Sequence, residues 1–291
     1  MSNEALEQAK QIDEIRIRIH RQFPEFTFPN PVLEPIFFGR FDKTPVEDRK
    51  LIMDADTGVQ WDVVSDRYDM IPHEIIVDNM LKSIPQEFGS PETKLRTWSQ
   101  GACFRVEILF PDLDNKDTEI RKGDKVRPRI VGYSSYNRST HYGIEAGAEQ
   151  LICSNGLVAF VAEEEKKRRH IMSIHSEADK VSMGDSIAIF LENFSEQTDL
   201  WKTWAETKLS LTDLEEVCIA LPFSEKERES MLDLPLLSHD KKHLRQLGKE
   251  ATLWDVNSAA TQMARHVIKS EKRAVELESQ IAKVLYSRNS K

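Results

Sequence analysis

The first alternation of apolar and polar positions has a helical period. In residues 3–22, Leu6, Ala9, Ile12, Ile15 and Ile19 recur every three or four positions among charges, predicting an amphipathic helix that ends before Pro24. Pro24, Pro29, Pro31 and Pro35 are then interleaved with Phe26, Phe28, Phe37 and Phe38. Proline withholds a backbone donor, so residues 23–41 are expected to form an extended arm whose aromatics pack across the main domain. Asp54 to Gly58 reads as a turn and Val59 to Val64 as a strand. Pro72 suits the first turn of a helix with Ile75, Ile76, Met80 and Ile84 on one face, stopped by Pro85 and Gly89.

From Lys94 the period becomes two. In residues 102–110, Cys103, Arg105, Glu107 and Leu109 face one way and Phe104, Val106, Ile108 and Phe110 the other, the pattern of a strand with one side buried. Further strands are predicted at Val126 to Tyr136, Thr140 to Cys153, Leu157 to Ala162 and Arg169 to His175, joined by short turns. Asn155-Gly156 can take the positive φ values of a two-residue hairpin turn between Leu151–Cys153 and Leu157–Phe160. After Ser182 the period returns to 3.6 over Ile187–Lys208, Leu211–Leu221, Glu225–Leu232 and Ala251–Tyr286. Strands followed by helices predict an α+β fold. It would comprise an N-terminal helix and Pro/Phe-rich arm (1–50), an antiparallel meander sheet (51–182) and a helical C-terminal part packed on it (183–291). Ala274, Leu277, Ile281, Val284 and Leu285 lie near heptad spacing, so the last helix could serve as an assembly seam for a homo-oligomer.

Three stretches carry a family resemblance. Gln150-Leu-Ile-Cys153-Ser154-Asn155-Gly156-Leu, the earlier Asp66-Arg67-Tyr68 before Ile71-Pro72, and the later Thr252-Leu-Trp254 with Asn257 and Thr261 resemble, in the same order, the phage/plasmid-like proteins catalogued as domain of unknown function 932. An extra Ser258 between Asn257 and Ala259 departs from that pattern. The resemblance spans about residues 60–268 and implies a phage, plasmid or integrated-element context without an activity. The motif residues are expected to be structural, with Asp66 and Arg67 pairing or capping the following helix.

Composition narrows the classes. A chain of 291 residues, 40% of them hydrophobic, can bury a substantial core. It has no run of 18 apolar residues and no secretory pattern at its start, so no membrane association and a cytoplasmic location in a bacterial host are expected. Three scattered cysteines argue against a disulfide framework. The net charge of −9 argues against coating duplex DNA, but residues 121–142 hold six bases against one acid.

Candidate chemistry is sparse. Cys153 with His141, His170 or His175 could form a nucleophilic pair, yet a small buried cysteine in an apolar run is the plainer account. Metal-ligand spacing is absent, and Asp112, Asp114, Asp117 and Glu119 do not satisfy the calcium-loop formula. Phosphate-loop and dinucleotide fingerprints are also missing; Gly143 and Gly147 read as sites of close packing or a bulge. No catalytic residue, metal or cofactor is therefore expected. Arg121, Lys122, Lys125, Arg127, Arg129, Tyr133, Tyr136, Arg138, His141 and Tyr142 combine guanidinium groups for phosphates with rings for stacking. They predict a sheet face that binds single-stranded DNA or RNA. The alternative is a module that binds and modulates a host protein.

Overall fold

The computed structural model describes residues 3–39, 43–110, 118–140, 142–151, 155–158 and 187–289. Helix α1 (Asn3–Gln22) spans the predicted range, and Ile19 is buried while Ile12 and Ile15 pack against the core. Phe26 and Phe28 follow it inward, both approaching Phe104 with ring centroids 6.2 and 6.1 Å away. The arm then departs from expectation. Pro31–Phe38 is strand β1, paired antiparallel with β2 (Thr44–Asp54), which pairs with β3 (Gln60–Ser65). Both prolines of β1 are tolerated because β1 is an edge strand, where missing donors break no interior ladder. Phe37 and Phe38 stay 51% and 78% exposed rather than packing. Because β2 runs through residue 50, the expected boundary there falls inside a strand, and the 59–64 strand belongs to this small sheet instead of the main meander.

Asp54 organises the β2–β3 turn. Its Oδ1 accepts from the backbone N–H of Asn30 and Asp56, its Oδ2 accepts from the Thr57 hydroxyl, and Gly58 supplies φ +73°. Ile52, Val64 and Tyr136 form a small core beneath the sheet, with Leu33, Trp61, Tyr68 and Met70 around them.

Helix α2 (His73–Lys82) begins after Pro72, as expected. Its side facing α1 is charged: Glu74 pairs with Arg16 (3.1 Å) and His20 (3.2 Å), and Asp78 with Arg18 and Lys82. Asp66 and Arg67 do not cap it; both are exposed, in the turn before it, without a side-chain hydrogen bond or ion pair among the described residues.

The main sheet is antiparallel: β4 (Glu92–Trp98), β5 (Cys103–Leu109), β7 (Asp124–Ser135), β8 (Gly143–Gln150) and β9 (Asn155–Val158) in that order, with the short β6 (Glu119–Arg121) on β7. Phe104, Val106, Ile108 and Ile130 join the core with α2. A Cβ on Gly132 would stand 2.3 Å from Met80 Sδ, so any larger residue there would force the Met80 side chain out of its place between helix and sheet. Contrary to the one-sided expectation, every residue of β5 is buried, its charged side included. The hairpin turn is also displaced. Gln150 pairs with Asn155 and Glu149 with Gly156, so Asn155-Gly156 opens the return strand and is not the two-residue turn. Cys153, Ser154, His141, the aspartate-rich 112–117 stretch and the predicted strand around Arg169–His175 lie outside the described residues.

The C-terminal part is helical: residues 187–192 are helical up to a break at Asn193, then come α3 (Phe194–Glu206), α4 (Leu211–Ala220), α5 (Glu225–Leu232), the short α6 (Leu244–Leu247), α7 (Leu253–Gln262) and α8 (Glu271–Asn289). The helix expected over 251–286 is interrupted. Residues Met263–Val267 form a π-turn after α7, and Ser270 starts α8 with its carbonyl accepting from Ala274 N–H. Trp201, Trp204 and Trp254 are fully buried, while Ala274, Leu277, Ile281 and Leu285 of α8 are buried within the chain. That stripe is therefore consumed by the fold and does not form an external assembly seam. No helix among the described residues is long and apolar enough to cross a membrane.

Candidate functional site

Of the ten residues predicted to share a nucleic-acid face, the nine that are described do not share one. Residues alternate across β7, and its length from residue 124 to 135 separates the two ends by about 36 Å. Arg129 is 1% exposed, with Nη2 3.1 Å from Glu278 Oε2. Arg127 is held by Glu149 (2.5 Å), and Tyr133 donates to Glu145 (3.3 Å) while covering Gly143, whose Cβ would fall 2.6 Å from the ring. Tyr136 is fully buried, stacked on His73 and Trp61, with its hydroxyl accepting from His73 N–H. Tyr142 is buried, and Arg138 pairs with Asp62 at the far end. Tyr68 is tucked under the small sheet, where burial raises its phenol far above the usual range.

Two charge clusters emerge in place of that face. The first lies between the main sheet and α8. Arg105 Nη2 meets Glu107 at 2.8 Å and Glu278 at 3.3 Å, while Arg265, from the π-turn, reaches Glu107 at 2.5 Å and Glu278 at 3.3 Å. Burial opposes ionisation of Glu107, but Arg105, Arg129 and Arg265 overcome it and bring its carboxyl down to about 2; Glu278 is lowered by the same guanidinium groups. Glu145 is pushed the other way, to about 7, first by burial and then by the Glu278 carboxylate. This assembly locks sheet to helix, and every charge but Glu145 has a close opposite partner.

The second cluster is open. A pocket of about 700 Å³ is lined by Arg121, Lys208, His239 and Lys242, with Ala205, Gln246, Leu247, Glu250 and Thr252 completing its walls. Four chain segments build it. Thr252 and Asp255 form a reciprocal capping box at the start of α7: Thr252 N–H and hydroxyl donate to Asp255 Oδ2 at 2.9 and 2.8 Å, and Asp255 N–H donates back to the hydroxyl. The other oxygen, Asp255 Oδ1, lies 2.7 Å from Arg121 Nη2 and 2.8 Å from His239 Nε2. Burial works against the Asp255 carboxylate, but Arg121 outweighs it and keeps the group below its ordinary pKa. Asp124, fully buried, steadies the base of the pocket by accepting from Trp254 Nε1 (2.8 Å) and Gln150 Nε2 (2.7 Å). A backbone bridge between Lys208 and Thr252 brings Lys208 to the rim, where it pairs with Glu250.

A family model described as a domain of unknown function (DUF932) matches residues 60–286. The chain belongs to that family. No curated protein and no solved structure matches it. The DUF932 match starts at the first residue of β3 and includes both charge clusters, leaving α1, β1 and β2 outside. Of the motif residues, Trp254 and Asn257 are buried in α7, and the Trp254 indole holds Asp124.

Of the predicted binding residues that are described, only Arg121 lines this pocket; Lys122 and Lys125 follow it on the β6–β7 hairpin. Asp255, His239, Lys208 and Lys242 went unnoticed in the sequence. The Thr252-x-x-Asp255 spacing of a capping box could have flagged Asp255, but local sequence could not place His239 or Lys208 beside Arg121. Among the described residues no group of three His, Cys, Asp or Glu is placed to hold a metal, and both described cysteines, Cys103 and Cys218, are buried.

Proposed function

We propose that this chain is a non-enzymatic accessory protein of a phage or mobile element, which binds single-stranded nucleic acid through the Arg121 pocket and its lysine rim. The observation carrying this reading is the convergence of Arg121, Lys208, His239 and Lys242 on one open pocket. Residues 119–125 and 238–252 with Lys208 and Asp255 hold eight bases against five acids, in a chain whose total is −9. Lys122, Lys125 and Lys242 are exposed and carry no ion pair among the described residues. A net acidic body repels a polyanion elsewhere, which confines binding to this region. The pocket has the dimensions of a small-ligand site, so it suits an unpaired strand better than a duplex. The binding surface thus differs from the basic sheet face expected from alternation, since Arg129 and Tyr136 are buried.

The test is a salt titration of binding to a labelled single-stranded oligonucleotide. Wild type should lose affinity steadily with salt, and Lys122→Glu/Lys242→Glu should bind weakly with a shallower slope. Absence of wild-type binding at about 50 mM salt would refute the reading. A second reading, docking of a host protein, rests on the exposed Phe37, Phe38 and Val63 of the small sheet. It would be favoured if Phe37→Ser/Phe38→Ser abolished capture of a defined host partner that wild type retains.

A further inference from the structure

Resting on that reading, we infer that the Arg121 pocket takes a terminal phosphomonoester, the phosphorylated end of a strand or a mononucleotide, in preference to an internal phosphodiester. The first argument is shape. Cationic groups from β6 (Arg121), the segment after α3 (Lys208) and the residues after the 3-10 turn at Leu237–His239 (Lys242) converge on a single concavity instead of lining a track. An internal phosphodiester must send the chain out in two directions, whereas a terminal phosphate needs one exit.

Charge gives the second argument. Lys208 already has the Glu250 carboxylate 2.5 Å away, and Arg121 has Asp255. A phosphodiester carries one charge, the same as the carboxylate it would displace, and gains little by the exchange. A phosphomonoester brings a charge of about −1.5 to −2 and three terminal oxygens, enough to draw Lys208 from Glu250 while Lys242 supplies a second ammonium. Both members of the Lys208–Glu250 pair are more than half exposed, so the pair can separate without uncovering a buried charge.

Preorganisation is the third. Arg121 is fixed before any ligand arrives: Nη2 reaches Ser238 Oγ at 2.5 Å and Asp255 at 2.7 Å, and Nη1 lies 2.9 Å from His239 Nε2. Little side-chain entropy remains for it to lose on binding. Ala205 and Leu247 give the same pocket an apolar wall against which a sugar or base can rest.

The experiment compares three short oligonucleotides of one sequence, carrying a 5′-phosphate, a 3′-phosphate or hydroxyls at both ends, by fluorescence anisotropy at low salt. A phosphorylated end should bind about tenfold more tightly than the hydroxyl form, the order expected for added charge-assisted hydrogen bonds. Lys208→Gln/Lys242→Gln should erase that margin while the melting temperature stays unchanged. Competition by a free mononucleotide as strong as by the phosphorylated strand supports the same chemistry and assigns the pocket to the free ligand. Equal affinity for all three strands, weakened alike by the lysine variant, overturns the terminal-phosphate inference and leaves strand binding intact. No binding by any strand or mononucleotide overturns both.

Discussion

Arg121 and Arg129 stand eight positions apart in sequence and serve opposite ends. Arg129 lies under α8 among Arg105, Glu107, Arg265 and Glu278, almost wholly removed from water. Arg121 lies on the rim of an open pocket, held by Asp255 yet facing a volume a ligand could enter. In the first cluster every guanidinium has carboxylate neighbours, so its charges are spent on joining two elements. In the second, Lys242 has no ion pair among the described residues and Lys208 has one that opens into water. A basic run stays available to a ligand only where its compensation is incomplete and reachable.

The largest effect should come from breaking the buried cluster. Glu278→Ala removes the carboxylate shared by Arg105, Arg129 and Arg265 and leaves Glu107 to face all three. A loss of about 3–5 kcal/mol is expected in chemical denaturation, because a buried charge without its partner bears the desolvation cost alone. A change below about 1 kcal/mol would show that this layer does not fasten α8 to the sheet.

Next in size is a pH effect inside the same cluster. Glu107, lowered to about 2, contributes stability that is complete above the ordinary carboxylate value of 4.5 and fades as pH falls towards 2. Glu145, raised to about 7, works in the opposite sense. Its contribution is complete below 4.5 and is lost as pH rises from there through 7, because the unfolded chain releases a proton that the folded one still holds. The loss is at most about 3 kcal/mol, and smaller to the extent that water reaches this half-buried side chain. Denaturation of Glu145→Gln at pH 5 and pH 8 should show a smaller difference than wild type; an unchanged difference would remove Glu145 as its source.

Much of the fold was legible because local periods and breakers agreed with tertiary packing. Pro72, Pro85 and Gly89 bracketed α2, and strict alternation in β5 located both of its faces. What alternation could not supply was what covers each face. Arg105 and Glu107 looked solvent-facing because polar residues usually are, and only Glu278, 171 positions beyond Glu107, makes their burial tolerable. The same limit applied to the site. Arg121 was legible as part of a basic run, but His239 and Lys208 reach it through separate turns, and no short-range pattern encodes that meeting. The interruption of the 251–286 helix was hidden because apolar spacing continues through the π-turn into α8.

Asp255 links pocket to scaffold, and its replacement should have an intermediate effect on both. Asp255→Ala removes the reciprocal cap of α7 and frees Arg121 and His239 from their shared carboxylate oxygen. A cost of about 2 kcal/mol is expected from the lost cap and ion pair. Strand binding should weaken through lost positioning of Arg121, although the pocket becomes more positive. Tighter binding at unchanged stability would mean that Asp255 acts on the ligand by repulsion alone.

The smallest expected stability effect and the sharpest separation of the two clusters belong to Lys242→Gln. Lys242 is exposed and makes no ion pair among the described residues, so a thermal melt should move by no more than about 0.5 kcal/mol equivalent. Its ammonium nevertheless borders the same pocket as Arg121. If it contacts phosphate, removing it deletes one released counterion, and the slope of log affinity against log salt should become shallower by about 0.7 for a single strand. Arg129→Gln should give the reverse pattern, a large loss of stability and no change of slope in whatever fraction remains folded. Should the slope respond to Arg129 and not to Lys242, the assignment of roles to the two clusters would be inverted.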